Sequence, residues 1–477
     1  MLQLSLKNKL RPPLLLICYV LAQPLIDVIT AFFTHAGHII TLGVVIRSLF
    51  MVLLFFYVVF YGKCKHIKIC IIYLSLLTAY IITFLIYSGI GYGLSTAFIN
   101  FKEMIKTFYF SYVFIGLYVF YQQFDFVFPA KYLSYTATIY MAVVFIAFVT
   151  NTSYKSYEYG FGYGGWFYST NEISSIIVIL TPITFYHAVN RLSAPFRQKG
   201  ILHYIYPLAA LAVVVFCSTF VGTKVVFVGI SGFALCFVLW SLLRLLRSKD
   251  IAVILQLMTG VILCLFIGLS YFVSPLRKNI NNIFIPRYGS SMVQSEISQE
   301  QSDTSSPDGG SNGGQSSLYS VINWALSNRL LFLAPLDNAF KQSNMGEKLM
   351  GLGYYSETKN INKPAEMDFF SVYYRQGYIG LILYIMPIMY CLIKLSKYFI
   401  LNFKKVIYSL YFCSNAFAFT LGLLASMVTG HTLIAPAVSI YIVLVMLNLL
   451  KYTRRKKLKI KRAEKNATFY KRYNTNF

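Results

Sequence analysis

The sequence predicts an all-α polytopic membrane protein of about 12 transmembrane helices, with one large extracytoplasmic loop between helices 9 and 10. Three observations carry that expectation. Hydrophobic residues make up 57% of the chain and charged residues only 12%, with 41 Phe and 39 Tyr, which excludes a soluble domain. Apolar runs of about 18–25 residues recur from end to end, each long enough to cross a ~30 Å hydrocarbon core as a helix. A single polar stretch, residues 274–369, interrupts that series and holds 9 of the chain's 16 Asp and Glu.

Taken in order, the spans fall at 13–33, 39–60, 68–88, 105–121, 132–150, 172–189, 202–219, 225–243, 251–273, 371–393, 406–427 and 432–450. Helices are required because backbone amides in lipid must be bonded within their own segment. The first run contains Gln23, Pro24 and Asp27 and lacks a small-residue cleavage site, so it reads as a retained span. Asp27 lies mid-span, where a carboxylate is either functional or paired inside the bundle. Residues 202–243 form one apolar run of 42, too long for one crossing, and split at Phe220–Lys224 into a tight surface hairpin. The domain organisation is therefore nine helices over 1–273, the loop 274–369, three helices over 370–450 and a basic tail over 451–477.

Basic clusters stand at Lys7–Arg11, Lys63–Lys68, Arg191–Lys199, Arg244–Lys249, Lys394–Lys405 and Lys451–Arg462. With twelve crossings they share one side with both termini, and the positive-inside rule makes that side the cytoplasm. The loop is then extracytoplasmic, and with eight Lys or Arg against nine acids it is nearly neutral. The net charge of +26 is accordingly a topology signal toward membrane lipid. Nucleic acid is not an expected partner, since no soluble basic domain exists to bind it. Seven of the eight cysteines lie inside apolar segments and Cys64 in a cytoplasmic loop, so no disulfide framework is expected outside. His35 and His38 occupy a short external turn without acidic partners. Neither a metal nor a cofactor is expected.

Inside the loop the organisation is uneven. Residues 289–316 are rich in Ser, Gly and Gln and nearly free of large apolar groups, so they are expected to be flexible. Over 318–340 apolar residues recur at helical spacing (Val321, Ile322, Trp324, Ala325, Leu330, Leu331, Leu333), predicting an amphipathic helix on the membrane face. Arg329 sits within it, and Pro335 should end or kink it. Gly351-Leu352-Gly353 makes a short glycine turn, and no Walker-type run or dinucleotide fingerprint appears. Pro364 fits the first turn of a helix and places Glu366 and Asp368 at its N-terminal end. Arg375 follows Asp368 by two turns, about 10 Å along the axis, so both share a face. A guanidinium there must face a polar cavity, a partner or a lipid headgroup. Plainer roles stand beside these: snorkelling for Arg375, helix capping for Glu366 and Asp368, solvation for Arg329 and hairpin anchoring for Lys224.

The pattern resembles the O-antigen ligase and O-antigen polymerase superfamily. Both have twelve spans, both termini inside and one large outer loop between spans nine and ten. Gly165-Trp166-Phe167-Tyr168-Ser169-Thr170-Asn171-Glu172 before span six looks like the family's Gly/Phe…Asn stretch. Lys224 matches its positive residue between spans seven and eight. Ser327-Asn328-Arg329 followed by Gly351-Leu352-Gly353 looks like its Arg…Gly-X-Gly segment. Glu366-Met367-Asp368-Phe369-Phe370 with Gly377-Tyr378-Ile379-Gly380 looks like its loop-to-helix junction. The ligases carry a His at the position matched by Glu366, whereas this loop contains no His and fits the Glu-X-Asp variant of repeat-unit polymerases.

The resemblance implies a fold and chemistry similar to the type-C glycosyltransferases, which take a sugar chain from a polyprenyl diphosphate without nucleotide sugar or metal. The expected partner is an undecaprenyl-diphosphate-linked oligosaccharide of a capsule or exopolysaccharide pathway, with that pathway's flippase and chain-length regulator. Arg329, Arg375 and Lys224 would hold the departing diphosphate, and Glu366 or Asp368 would serve the attacking hydroxyl. Asn171, Glu172, Trp166 and Tyr374 would touch substrate. The aromatic residues over 154–168 could stack on sugar rings or form an interfacial belt. A ligase of the same superfamily is the first alternative. A transporter or flippase is the second, although such carriers place their longest loop after span six, where 190–201 is short.

Overall fold

The computed structural model describes residues 2–38, 41–155, 162–193, 202–246, 251–277, 329–354 and 367–454. Twelve of its helices are long and apolar enough to cross a membrane, and the protein is an all-helical multi-pass membrane protein. The first nine are α1 (Leu2–His35), α2 (Leu42–Phe56, continued by a π-helical turn Tyr57–Tyr61), α3 (Ile67–Tyr92), α4 (Leu94–Gln123), α5 (Ala130–Val149), α6 (Thr170–Leu192), α7 (Leu202–Val221), α8 (Lys224–Leu245) and α9 (Ile251–Val273). Two shorter helices follow, α10 (Arg329–Gln342) and α11 (Met345–Met350). The last three spans are α12 (Asp368–Ile407), α13 (Leu410–Val428) and α14 (Pro436–Arg454). A two-stranded antiparallel ribbon, β1 (Tyr154–Lys155) with β2 (Tyr163–Gly165), precedes α6. By alternation of crossings, the N-terminal ends of α2, α4, α6, α8, α12 and α14 share one end of the bundle with the 274–369 loop.

The centre of the bundle is α4 and α6, each 89% buried over its most apolar stretch, against 22% for α2, whose sides face lipid. α6 tolerates burial because its polar residues close on its own backbone: Thr181 and Thr184 hydroxyls donate to the carbonyls four residues back, at 2.7 and 3.0 Å. Small residues let neighbours approach it closely. A Cβ on Gly229 of α8 would stand 2.9 Å from Val178, and one on Gly422 of α13 3.2 Å from Ile179. The long apolar run does divide at the expected point, where Gly222 takes φ +73° between α7 and α8.

The 318–340 helix is seen from Arg329 onward and runs through Pro335 to Gln342. The stretch 289–316 expected to be flexible, and Glu366 with Pro364, lie outside the described residues. The junction into span ten departs from a simple helix start. α12 is interrupted at Gly377 (φ 63°, ψ −168°) and again at Asn402. The rings of Phe369 and Tyr384 are 6.3 Å apart, whereas fifteen residues of continuous helix would separate them by about 22 Å. The segment Asp368–Gln376 is therefore a half-helix folded back beside the membrane-crossing part of α12, with its N-terminus sunk into the bundle.

Candidate functional site

Breaking a helix leaves carbonyls without partners, and at Gly377 the glycine turn supplies them. The carbonyls of Tyr374 and Arg375 accept the backbone N–H groups of Leu352 and Gly353, both at 3.0 Å. The Gln376 carbonyl accepts the Tyr80 hydroxyl at 2.6 Å. This docking leaves no room for side chains. A Cβ on Gly351 (φ +101°) would stand 2.2 Å from the Arg375 carbonyl oxygen, and one on Gly377 2.5 Å from the Gly351 nitrogen. The Gly-X-Gly motif and the glycine of the loop-to-helix junction are thus two halves of one contact.

That contact holds Arg375. Its side chain is 1% exposed, and its guanidinium carbon lies 4.2 Å from the Tyr354 ring centre, a cation–π pair. Tyr354 is itself fixed from α4, where Asn100 accepts its N–H at 2.8 Å and donates to Ser88 of α3 at 2.6 Å. Tyr374 turns the other way and donates to Asp337 of α10 at 3.1 Å. Lys341 and then Tyr374 hold the Asp337 carboxyl below the usual carboxylate range by hydrogen bonding.

Two turns along the half-helix from Arg375, Asp368 is 0% exposed. One oxygen, Oδ2, accepts the backbone N–H groups of Thr432 and Leu433 at 3.0 and 2.7 Å. These come from the α13–α14 turn, where Gly430 and His431 both take positive φ and so aim successive amides at one point. The carboxylate ties that turn to the half-helix.

α6 joins the pieces. Ser174 is hydrogen-bonded to Thr223 at 2.7 Å, which fixes the turn carrying Lys224, and Ser175 is bonded to Thr432 at 3.1 Å, which fixes the turn that holds Asp368. Asn171 and Glu172 sit one helical turn earlier, both half-buried. Glu172 lies within electrostatic reach of Asp27, Arg47, Lys106 and Asp368. Arg329 opens α10 near enough to Lys224 for the two charges to repel. Trp166 is half-buried and donates its indole N–H to Thr152 at 2.8 Å, in the ribbon beside α6.

Asp27 is paired within the bundle. It forms a buried salt bridge with Arg47 of α2 and accepts the Tyr140 hydroxyl of α5 at 2.6 Å. Arg47 also donates twice to Gln23, at 2.9 and 3.0 Å. Sequence reasoning missed Arg47, although a single arginine inside an apolar run was signal enough to look for the partner of Asp27. It also missed Tyr80, Asn100 and Thr432, whose roles depend on what they touch. Among the described residues no three His, Cys, Asp or Glu converge as a metal site would require.

A twelve-span bundle that buries an arginine and an aspartate at its loop-bearing end, on a folded-back half-helix, defines a membrane protein with a polar site at one face of the bilayer. The chain belongs to the family of O-antigen ligase like membrane proteins, which it matches over residues 7–456. No individual curated protein matches it. Membership makes it a polysaccharide-related membrane enzyme, of a family acting on lipid-linked glycans.

Proposed function

We propose that the protein polymerises undecaprenyl-diphosphate-linked oligosaccharide repeat units into capsular or exopolysaccharide on the outer face of the cytoplasmic membrane. The observation that carries this reading is a buried arginine, Arg375, fixed on a folded-back half-helix at the end of the bundle that also holds Lys224 and Arg329. The leaving group is an anionic diphosphate, so oriented cations at the site lower the barrier to its departure. Arg suits a bidentate phosphate contact, and Lys224 adds a point charge. Glu366 orients the acceptor sugar from the loop, with Asn171, Trp166 and Tyr374 along the sugar's path. No metal and no nucleotide sugar enter the scheme. Both termini are cytoplasmic in this reading, and the pathway's flippase and chain-length regulator are its partners.

Arg375→Ala and Arg329→Ala should each abolish long-chain polymer in cells at unchanged protein level, with about 10²–10³-fold loss of rate. Lys at either position should rescue only partly. Glu366→Gln should be inactive as well. Wild-type chain-length distributions from well-expressed Arg375→Ala and Glu366→Gln would remove the catalytic assignment. The family match favours one other reading, a ligase that moves a finished glycan to a different acceptor. The two separate by product: a polymerase yields a lipid-linked ladder when the final acceptor is absent, and a ligase yields none.

A further inference from the structure

Ser169-Thr170-Asn171-Glu172 reads as a capping box, in which the serine side chain bonds the glutamate N–H and the glutamate carboxylate reaches back to the serine N–H. At α6 only the first half forms: Ser169 accepts the Glu172 N–H at 3.4 Å. The same chain completes the device elsewhere. Asn344 accepts the Glu347 N–H at 2.9 Å, and the Glu347 carboxylate accepts the Asn344 N–H at 3.2 Å. Glu172 thus has its capping partner at hand and leaves the second bond unmade.

Each neighbouring acid has at least one partner for its carboxylate. Asp27 is held by Arg47 and Tyr140, Glu103 by Lys106 at 2.7 Å, and Glu347 by its box and by Tyr92 at 2.7 Å. Asp337 is held by Lys341 and Tyr374, and Asp368 through Oδ2 by the amides of Thr432 and Leu433, while its Oδ1 is buried without a hydrogen bond. The Glu172 carboxylate makes no hydrogen bond to another described residue, and Glu172 is only partly buried by accessible surface. It stands where the Lys224 turn and the Asp368 turn both meet α6, through Ser174 and Ser175.

We propose that Glu172 is the carboxylate that takes the proton of the attacking sugar hydroxyl, and that Asp368 is a positioning residue. The proposal rests on the polymerase reading above. In the step, the acceptor oxygen forms a bond to the anomeric carbon of the donor while its O–H bond breaks. The bond from that carbon to the diphosphate oxygen breaks with its electron pair, and the diphosphate leaves as an anion beside the arginines. The proton passes to the Glu172 carboxylate and then to water. Asp368 acts indirectly, by fixing the α13–α14 turn against the half-helix that carries Arg375.

The test uses the full-length protein in cells lacking the wild-type copy, with surface polysaccharide resolved by chain length and normalised to protein abundance. Glu172→Gln should lose about 10²–10⁴-fold of long-chain polymer per molecule, and Glu172→Asp should restore part of it. Asp368→Asn should keep a ladder within a few-fold of wild type, because an amide oxygen still accepts both backbone N–H groups, whereas Asp368→Ala should lower abundance. A wild-type ladder per molecule from Glu172→Gln, whatever its abundance, overturns the proposal. So does complete loss from a well-expressed Asp368→Asn. Cells that carry no copy of the protein separate the failures: if they still make the ladder, the polymerase reading falls, and if they make none, only the role of Glu172 does.

Discussion

Asp27 and Asp368 are buried carboxylates near the same end of the bundle, and they are neutralised in different ways. Asp27 meets a side-chain cation, Arg47, with a tyrosine hydroxyl on its second oxygen. Asp368 meets only backbone, the amides of an irregular turn. The first arrangement is a pair that locks three crossing helices, α1, α2 and α5, and each partner needs the other to remain buried. The second is a latch between a half-helix and a turn, and it needs an acceptor oxygen more than it needs a charge. Irregular backbone at membrane depth survives only where protein encloses it, and Asp368 supplies the acceptor that the 432–433 amides require. A buried acid is thus informative only once its partner is known.

The largest effect is expected where a charge is stranded. Asp27→Ala leaves Arg47 buried without its counterion and should cost about 3–5 kcal/mol, with lost abundance and a lowered midpoint in thermal denaturation of the detergent-solubilised protein. The paired change Asp27→Leu with Arg47→Met should recover most of that loss. A double variant no better than either single would break the account of a self-contained ion pair.

A smaller effect is expected at the latch. Asp368→Ala strips two amides of their acceptor and should cost about 1–3 kcal/mol, while Asp368→Asn should lie well inside that range. Hydrogen exchange over 429–434 should quicken in the first variant and stay near wild type in the second. Equal exchange in both would mean that charge, and not the acceptor atom, holds the turn.

Asp337 extends the comparison to the solvent side, where the smallest effect is expected. Its folded-state pKa lies below its unfolded value, held there by Lys341 and Tyr374. Its contribution is therefore present above the unfolded carboxylate range, about pH 4, and fades as pH falls through the lower folded value. Exchange protection of α10 should be flat from neutral pH down to that range and decline only below it. A decline beginning near neutral pH would assign the contact to another group.

The spans were legible because hydropathy is written locally: a run of apolar residues long enough for the bilayer has one low-energy placement, whatever its neighbours. The division of 202–243 at Gly222 was legible for the same reason, since 42 apolar residues exceed one crossing. Short motifs were also readable. Gly351-Leu352-Gly353, Gly377 and Arg375 could be singled out by residue type, and they do meet. That they meet by capping a broken helix was not readable, because the carbonyls of Tyr374 and Arg375 lack partners only after the chain folds back.

What the amino-acid order determined by itself is the class of protein, the number of crossings and the stretch of chain where polar chemistry gathers. Tertiary structure alone decided what Asp27, Asp368 and Glu172 meet. Asp27 finds Arg47 twenty residues on, Asp368 finds amides more than sixty residues on, and Glu172 does not close the capping box although its own N-terminal serine offers it one. Local preference favours the cap. Packing of α6 against two turns from distant parts of the chain, through Ser174 and Ser175, sets the surroundings of that first turn, and no window of sequence contains those contacts.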